Sequence, residues 1–283
     1  MKIGFIGAGK VGFSLGKYFS INNLELSGYY SRNHNSAVEA SKFTDSTSFF
    51  NLEDLIRESD LIFITTPDDK IKHIWQEINN FDIRDKIICH ASGSLSSKVF
   101  SNISNSGAFG YSIHPIFPVS DKYTCYQGLK NAYFSIEGDS KHLTLLRHLM
   151  GSLGNNTLIL NSDNKALYHL SCVTVSNLVL SLINKGCNYL EQYGVDSLDS
   201  LNALMPLIEY NISNLREKGF VNALTGPIER ADTKTIENHL NSLDKDKALY
   251  KSLSYNLVHI AKMKNSEKDY SKILELLNDQ TSK

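Results

Sequence analysis

The sequence lacks the features that mark disulfide scaffolds, nucleic-acid binders and membrane proteins. Its 283 residues include four cysteines, which have neither CxxC nor Cys/His ligand spacing, so we expect reduced thiols and no metal site. The 29 basic and 30 acidic residues balance, which argues against general nucleic-acid binding. No unbroken apolar run reaches the ~18 residues of a membrane helix, and the first residues do not have the pattern of a secretory signal. We therefore expect a cytoplasmic protein that binds neither nucleic acid nor membrane.

The pattern of apolar segments changes near residue 160. Before it, short apolar strands alternate with helices, which is the pattern of a parallel α/β sheet. After it, we find helical periodicity and no strong strand signal, beginning with one long helix predicted over 163–193. The sequence thus predicts an α/β nucleotide-binding domain at 1–160 and an all-helical domain at 161–283.

A complete GxGxxG motif follows the first predicted strand and opens the first predicted helix. It consists of Gly7, Ala8, Gly9, Lys10, Val11 and Gly12. In this context Gly7 permits a tight turn, Gly9 lets the backbone approach a pyrophosphate, and Gly12 lets the helix pack against the strand. The helix N-terminus adds a partial positive charge. The motif predicts a dinucleotide site; the alternative is a glycine-rich turn without a ligand.

The segments after two other predicted strands indicate which dinucleotide binds. NAD sites usually place an acidic residue after the second strand, where it accepts hydrogen bonds from the ribose. This chain has Ser31 and Arg32 there and no acid, and arginine pairs well with a 2′-phosphate. We expect NADP as the cofactor; the alternative is that Arg32 is a solvated loop cation. Thr65, Thr66 and Pro67 should also contact the cofactor, with Thr66 as the N-cap of the next helix and Pro67 at its first position.

Two strand ends carry polar groups suited to hydride transfer, which needs proton and hydrogen-bond donors near the substrate heteroatom. In the segment HASGS, Ser92 follows a strand predicted at 86–90 and would face the substrate crevice. In the segment SIHP, His114 follows a strand predicted at 107–113, and the proline after it would fix a turn. Structural alternatives are a capping role for Ser92 and a backbone-bonded turn histidine for His114.

The long predicted helix carries polar residues along one face. Lys165, His169, Val173 and Asn177 follow one another at intervals of four residues, which aligns them on a helix. A polar side chain in an apolar helix either satisfies the fold or faces a ligand. We therefore consider His169 and Asn177 candidate catalytic residues.

These motifs together resemble a known superfamily. The segments that carry the resemblance are GFIGAGKVG, YYSRN, HASGS, SIHP, YHLSCVTVSN and ALTGPIERADTKTIENHL. They are similar to the superfamily of β-hydroxyacid dehydrogenase, pyrroline-5-carboxylate reductase, prephenate dehydrogenase and 6-phosphogluconate dehydrogenase. The chain most resembles Rossmann-like NADP oxidoreductases with a C-terminal helical domain of unknown function. The resemblance covers essentially the full length and implies a Rossmann domain followed by an all-α domain.

The resemblance also bears on individual residues. β-Hydroxyacid dehydrogenases carry a catalytic lysine and, one turn later, an asparagine on the long helix. Asn177 matches the asparagine, but the lysine position falls on Val173, so the lysine mechanism cannot be carried over, and His169 is a candidate substitute. The resemblance implies that the loop with Arg230 and Asp232 lies close to the substrate cleft. Arg230 could bind a substrate carboxylate there or pair with Asp232.

The expected function is that of an NADP-dependent oxidoreductase. It would transfer hydride to or from a small, anionic carbonyl or imine substrate. One alternative is a biosynthetic enzyme similar to pyrroline-5-carboxylate reductase or prephenate dehydrogenase. Another is an NADP-binding sensor or interaction protein without catalysis, which the missing lysine favours slightly.

We also expect a homodimer through the helical domain. Its helices carry more apolar residues than so small a domain easily buries, and such surfaces usually mark interfaces. These residues are Leu201, Leu204, Leu207, Ile208, Ile212, Leu253, Leu257 and Ile260. The resemblance likewise implies dimers whose helical domains interlock.

Overall fold

The chain begins with a mixed eight-stranded sheet in the computed structural model, which describes residues 1–278. The last five residues of the predicted second domain, 279–283, lie outside the described range. The strands are β1 (Ile3–Ile6), β2 (Leu26–Tyr30), β3 (Thr47–Phe49), β4 (Leu61–Ile64), β5 (Ile87–His90), β6 (Phe109–Ile116), β7 (Tyr133–Gly138) and β8 (Thr157–Ile159). They are hydrogen-bonded in the order β3-β2-β1-β4-β5-β6-β7-β8, and all pairs are parallel except β6 with β7.

Helices follow most of these strands and then take over the chain. They are α1 (Lys10–Ile21), α2 (His34–Thr44), α3 (Leu52–Arg57), α4 (Asp68–Ile78), α5 (Leu143–Ser152), α6 (Lys165–Val175), α7 (Asn177–Glu191), α8 (Ser197–Ala223), α9 (Pro227–Arg230), α10 (Thr233–Ser242), α11 (Lys247–Lys264) and α12 (Ser271–Leu277). Beyond β8, the described residues contain helices and no strand. The predicted fold class, an α/β sheet domain followed by an all-α region, is confirmed.

The sheet has a separate apolar core on each face. On one face the ring of Phe5 stacks between those of Tyr29 and Phe63, with centroid distances of 5.1 and 5.5 Å. On the other face Trp75 of α4 packs edge-on against Phe100 at 5.5 Å. Burying both faces explains why the central strands read as nearly continuous apolar runs. The core thereby fixes the carboxyl ends of β1, β4 and β5, where ligands bind in such sheets.

Strand β6 is longer than the sequence indicates, and His114 lies within it rather than after it. β5 pairs with β6 only as far as Ser112, whereas β7 continues the ladder through His114, Pro115 and Ile116. The expected turn at Pro115 is therefore wrong. Beyond Ser112 the β5 side of β6 is unpaired, which is the kind of edge where proline is tolerated in a strand. The antiparallel partner holds His114 in extended backbone.

The single helix predicted over 163–193 is also wrong, because it is two helices. Ser176 separates α6 from α7 with a non-helical backbone at φ −115° and ψ −84°. Its hydroxyl donates to the carbonyl oxygen of Cys172 at 2.8 Å, a local bond that competes with helix geometry. Lys165, His169 and Val173 therefore share one helix, and Asn177 begins the next.

The chain forms two compact units, one comprising residues 1–180 and the other beginning at Ser181. The division falls inside α7, and the boundary predicted after residue 160 stays a prediction. The second unit has its own core, which includes Ile228, Ile236, Val258 and Ile273. Asp232 caps α10 by accepting a hydrogen bond from the backbone N–H of Thr235 at 3.1 Å, as expected of an N-cap aspartate.

Two sets of apolar side chains remain exposed. In the second unit, Leu207 and Ile212 of α8 are 59% and 53% exposed. The stretch Ser162–Glu191 is the other, and an 18-residue window in it has a mean hydropathy of 1.6. The expectation that no segment could span a membrane is corrected on this point: the stretch is long and apolar enough by length and composition. A single such helix is weak support for a membrane protein, since soluble proteins contain them too.

Candidate functional site

A cavity of about 440 Å³ lies beyond the carboxyl ends of β1, β2 and β4, where the strand order of the sheet reverses. Eight of the predicted cofactor residues line it: Gly7, Ala8, Gly9, Ser31, Arg32, Thr65, Thr66 and Pro67. The other three, Lys10, Val11 and Gly12, form the first turn of α1. A crevice at this switch point is where open α/β sheets bind ligands. The structure thus brings these predicted residues to one place.

The glycines of the loop are required by close approach of the backbone. Gly7 has φ +105°, and a Cβ there would lie 3.0 Å from the backbone of Thr65. A Cβ on Gly12 would lie 2.5 Å from the carbonyl oxygen of Gly7. Gly9 is the N-cap of α1 and supplies no side-chain bond to its first turn. The free N–H groups of that turn therefore make a ready site for an anion.

Arg32 is available to a negatively charged ligand. It is exposed beside the cavity, and no carboxylate lies within 4.0 Å of its guanidinium among residues 1–278. Sequence reasoning missed Ser36, Lys70 and His73, which also line the cavity. The spacing of Lys70 and His73 on α4 could have revealed them, because residues three apart share a helix face.

The prediction that Thr66 caps α4, with Pro67 as the first helical residue, is wrong by one position. Pro67 is the N-cap, with φ −54° and ψ 148°, and it offers no side-chain hydrogen bond. Thr65 instead donates its hydroxyl to the carbonyl oxygen of Gly7 at 2.8 Å and so ties β4 to the glycine loop. The hydroxyl oxygen of Thr66 is buried and has no partner among the described residues, which leaves it free for a ligand in the cavity.

The loop after β5 is tied to the start of α4. The hydroxyls of Ser92 and Ser94 each donate to one carboxylate oxygen of Asp68 at 2.7 Å. The Ser92 oxygen also accepts hydrogen bonds from the backbone N–H groups of Ser94 and Leu95, at 3.2 and 3.0 Å. These bonds engage the hydroxyl of Ser92 fully in shaping the loop. Its direct role toward a substrate stays a prediction.

Two of the predicted catalytic residues meet at Gly93 in this loop. A Cβ built on Gly93 would lie 2.9 Å from Nε2 of His114 and 2.8 Å from Nδ1 of His169. The two imidazoles therefore face the same point from β6 and α6. Nδ1 of His169 is buried without a partner among the described residues. A buried nitrogen without a protein partner forms its hydrogen bond with water or with a ligand. The surroundings of Gly93 are therefore the candidate reaction site.

Two buried histidines, His114 and His90, are held neutral by their surroundings. Burial, together with the nearby charge of Lys165, lowers the pKa of His114 to about 4. Burial likewise lowers the pKa of His90, at the end of β5, to about 4. The N–H of Ser92 donates to Nδ1 of His90 at 3.2 Å. At neutral pH His90 and His114 are therefore uncharged imidazoles.

Lys165 also belongs to the site, although the sequence indicated only that it shares a helix face with His169. Its side chain is buried, with the residue only 3% exposed, and Nζ donates to the hydroxyl of Ser112 at 2.8 Å. No carboxylate lies within 4.0 Å of Nζ among residues 1–278. Burial lowers its pKa, while the charge of Glu137 raises it. A buried lysine without an ion pair is a common marker of a functional site.

Asn177 is not part of this group. It is exposed at the start of α7, and its side-chain oxygen accepts a hydrogen bond from the hydroxyl of Ser176 at 3.1 Å. No hydrogen bond connects its side chain to the histidines within the described part of the chain. Its predicted catalytic role therefore stays a prediction.

In the second unit, the predicted pairing of Arg230 with Asp232 does not occur. Asp232 instead accepts a hydrogen bond from the hydroxyl of Thr235 at 2.7 Å, and this bond, more than the charge of Arg230, holds its pKa below the usual range. No ion pair within 4.0 Å joins Arg230 to Asp232 in the described residues. A substrate role for Arg230 stays a prediction.

Two family profiles match separate parts of the chain. Residues 1–115 match the Rossmann-like domain. Residues 132–257 match a domain of unknown function, DUF2520. Each profile covers less than half of the chain, and together they span most of its length. No curated protein matches the sequence.

Several solved structures share this fold along nearly the whole chain. A protein of Thermotoga maritima is 22% identical with a TM-score of 0.74, over 92% of this chain and 98% of that one. A candidate NADP oxidoreductase of Bacteroides fragilis is 23% identical with a TM-score of 0.70, over 91% and 98%. A reductive aminase of Aspergillus terreus, in complex with NADPH and ethyl-5-oxohexanoate, is 12% identical with a TM-score of 0.64, over 98% and 99%. These similarities establish the fold.

Proposed function

We propose that this protein is an NADP-dependent oxidoreductase that transfers hydride to or from a small, anionic carbonyl or imine compound. The observation that carries the proposal is the tether from Asp68 to Ser92 and Ser94. It attaches the loop that contains Gly93 to the start of α4, which borders the nucleotide cavity. This tether supports placing the paired histidines of Gly93 beside the cavity, and both histidines belong to the same compact unit as the cavity.

The residues around the cavity fit NADP. The glycine loop and the open first turn of α1 would hold the pyrophosphate. Arg32 and Ser31 would hold the 2′-phosphate, because the end of β2 carries no acid that would repel it. NADPH, when bound, supplies the hydride. The fold neighbours include a candidate NADP oxidoreductase and a reductive aminase in complex with NADPH, which favours the same cofactor here.

The two histidines would divide the remaining chemistry. His114 is neutral at pH 7, so its Nε2 would donate a hydrogen bond and polarise the C=O or C=N group rather than carry a stored proton. His169 would exchange the proton that accompanies the hydride at the substrate heteroatom. The buried ammonium of Lys165 has no ion-pair partner within 4.0 Å among residues 1–278, and its positive charge favours an anionic substrate.

We also propose that the protein is a homodimer. The exposed apolar residues of α8, together with those on Ser162–Glu191, exceed what a monomer usually leaves in water. A second copy would cover them with like surface. A cytoplasmic location is consistent with this proposal, because the partner and not a lipid would then cover the apolar helix.

The cofactor is tested by titrating NADPH and NADH into the protein. A charge-assisted contact contributes roughly 1.5–3 kcal/mol, which corresponds to about a 10- to 150-fold preference for NADPH. Arg32→Ala should erase most of that preference by weakening NADPH alone. Lys42→Ala removes an exposed positive charge of α2 that does not line the cavity and should leave both affinities unchanged. Equal affinities in the wild type would refute the assignment of Arg32.

The reaction is tested by a screen of keto acids and cyclic imines with NADPH. On a substrate that turns over, His169→Ala should lower kcat by roughly ten- to a thousand-fold, with NADPH affinity unchanged. A similar loss in Asn177→Ala would support the predicted catalytic role of that residue, which lies outside the group at Gly93. His148→Ala, which alters an exposed histidine of α5, is the matched control. Full turnover in His169→Ala would contradict the placement of the active site at that residue. Absence of any turnover across the screen would favour the sensor alternative.

A further inference from the structure

The imidazole of His114 is held by a second aromatic residue, to which neither the sequence motifs nor the proposed chemistry assigns a role. Nδ1 of His114 lies 2.6 Å from the hydroxyl oxygen of Tyr168. The two rings meet edge to face, with centroids 5.7 Å apart and planes at 86°. Tyr168 belongs to α6, one residue before His169. One helix thus presents His169 to the crevice at Gly93 and the phenol to the far nitrogen of His114.

The direction of this hydrogen bond follows from the protonation of the two groups. Burial raises the pKa of Tyr168 well above its usual value, so its hydroxyl keeps its proton. Burial lowers the pKa of His114 to about 4, so one of its nitrogens has a free lone pair at neutral pH. The phenol is the better donor of the two. It therefore donates to Nδ1, and the imidazole proton resides on Nε2.

The titratable groups around the imidazole shift its pKa in both directions, with a net lowering. Lys165 and His169 of α6 and His90 of β5 lower the pKa of His114, and Asp68 at the start of α4 raises it. Nζ of Lys165 also lies 5.0 Å from the ring centroid of Tyr168. These four groups act on the imidazole as a whole from three elements. The phenol of Tyr168, in contrast, contacts one nitrogen only and so distinguishes the two.

We infer that Tyr168 is a positioning residue that fixes His114 as the Nε2–H tautomer and aims that N–H at the crevice beside Gly93. This inference rests on the proposed function for its purpose, since a fixed donor matters where a substrate oxygen or nitrogen is polarised. The tautomer of His114 that it predicts does not depend on which substrate binds. If Tyr168 served only to fill space, the other groups around His114 would determine that tautomer.

The test is ¹⁵N NMR of the full chain with ¹⁵N-labelled histidines, of which the sequence has nine. His114→Asn identifies the resonances of His114. In the wild type at pH 7.5, Nδ1 should show the shift of an unprotonated nitrogen and Nε2 that of a protonated one. In Tyr168→Phe the tautomer ratio should fall by about 2- to 13-fold, the factor that corresponds to one net hydrogen bond. Tyr133→Phe, which alters an exposed tyrosine of β7, should leave the ratio unchanged.

A second variant separates the phenol from the surrounding charge. Lys165→Met removes the positive charge and should raise the pKa of His114 while the Nε2–H tautomer persists. An Nδ1–H tautomer in the wild type, or an unchanged ratio in Tyr168→Phe, would overturn the inference. Since the spectra are recorded without substrate, a failed search for turnover would count against the proposed function and leave this inference standing.

Discussion

Acidification should destabilise the first unit through His90 and His114. Both have a reference pKa of 6.5 that burial lowers to about 4 in the folded protein. A histidine is neutral when deprotonated. If its pKa is lower in the folded than in the unfolded protein, it stabilises the fold above pH 6.5, and this contribution is lost as the pH falls toward 4. The unfolded chain then binds protons that the folded chain excludes.

The size of the effect follows from these pKa values. Between pH 7.5 and pH 5, each histidine should lower the free energy of unfolding by about 2 kcal/mol, and the two together by about 4 kcal/mol. Carboxylates contribute little in this range. Those with shifted values, such as Asp82 with a pKa of about 2, are lowered, and their contribution is lost only at lower pH.

The single tryptophan provides the assay. Trp75 is the only tryptophan of the chain and is 2% exposed in the core of the first unit. Its fluorescence in urea titrations therefore reports the unfolding of that unit. His90→Asn and His114→Asn should each be less stable at pH 7.5, yet each should lose about 2 kcal/mol less than the wild type on acidification. His148→Asn, at an exposed position, should keep the wild-type dependence. The same pH dependence in all four proteins would refute the reasoning.

Three further predictions concern the cavity, the crevice and the assembly. Gly12→Ala places a methyl group 2.5 Å from the carbonyl oxygen of the first loop glycine, so nucleotide affinity in a titration should fall by about tenfold or more. Gly93→Ala places one within 3 Å of His114 and His169; turnover should fall by roughly tenfold or more while NADPH affinity is retained. A retained turnover would show that the crevice lies elsewhere. Light scattering should give a dimer at micromolar concentration and a monomer for Leu207→Glu, and a monomeric wild type would contradict the proposed assembly.

Much of the fold could be predicted because local signals and long-range packing agree. The first predicted helix, opened by the GxGxxG motif, is α1 as observed, since Gly9 and Gly12 mark its start by backbone requirements alone. The short edge strand β3 was not predicted, because a three-residue segment such as Thr47–Phe49 has too few side chains to show a period. The extension of β6 was missed for a different reason: it depends on β7, a partner that no local pattern reveals.

The candidate site shows the same limit. The sequence singles out His114 and His169 as residue types in suitable places, but their approach at Gly93 depends on the packing of β6, α6 and the loop after β5. Lys165 was noted only for its alignment with His169, and Tyr168 only as part of the segment YHLSCVTVSN, because their hydrogen bonds to β6 depend on tertiary packing. Conversely, Asn177 matched a family pattern, yet the break at Ser176 leaves it exposed.

The end of β6 that extends beyond β5 has a consequence for redesign of this protein. Residues 113–116 extend past the end of β5 and, as part of β6, pair only with β7. The backbone of His114 is therefore held by strand pairing and not by a neighbouring loop. Loops tolerate insertion and substitution far better than the elements they join. Directed evolution could therefore change the length of the segment between β6 and β7 while the imidazole keeps its anchor, whereas the loop after β5 must keep Gly93, where a Cβ would lie within 3 Å of His114 and His169. The scaffold thus separates the part of the crevice that can diversify from the part that must stay fixed.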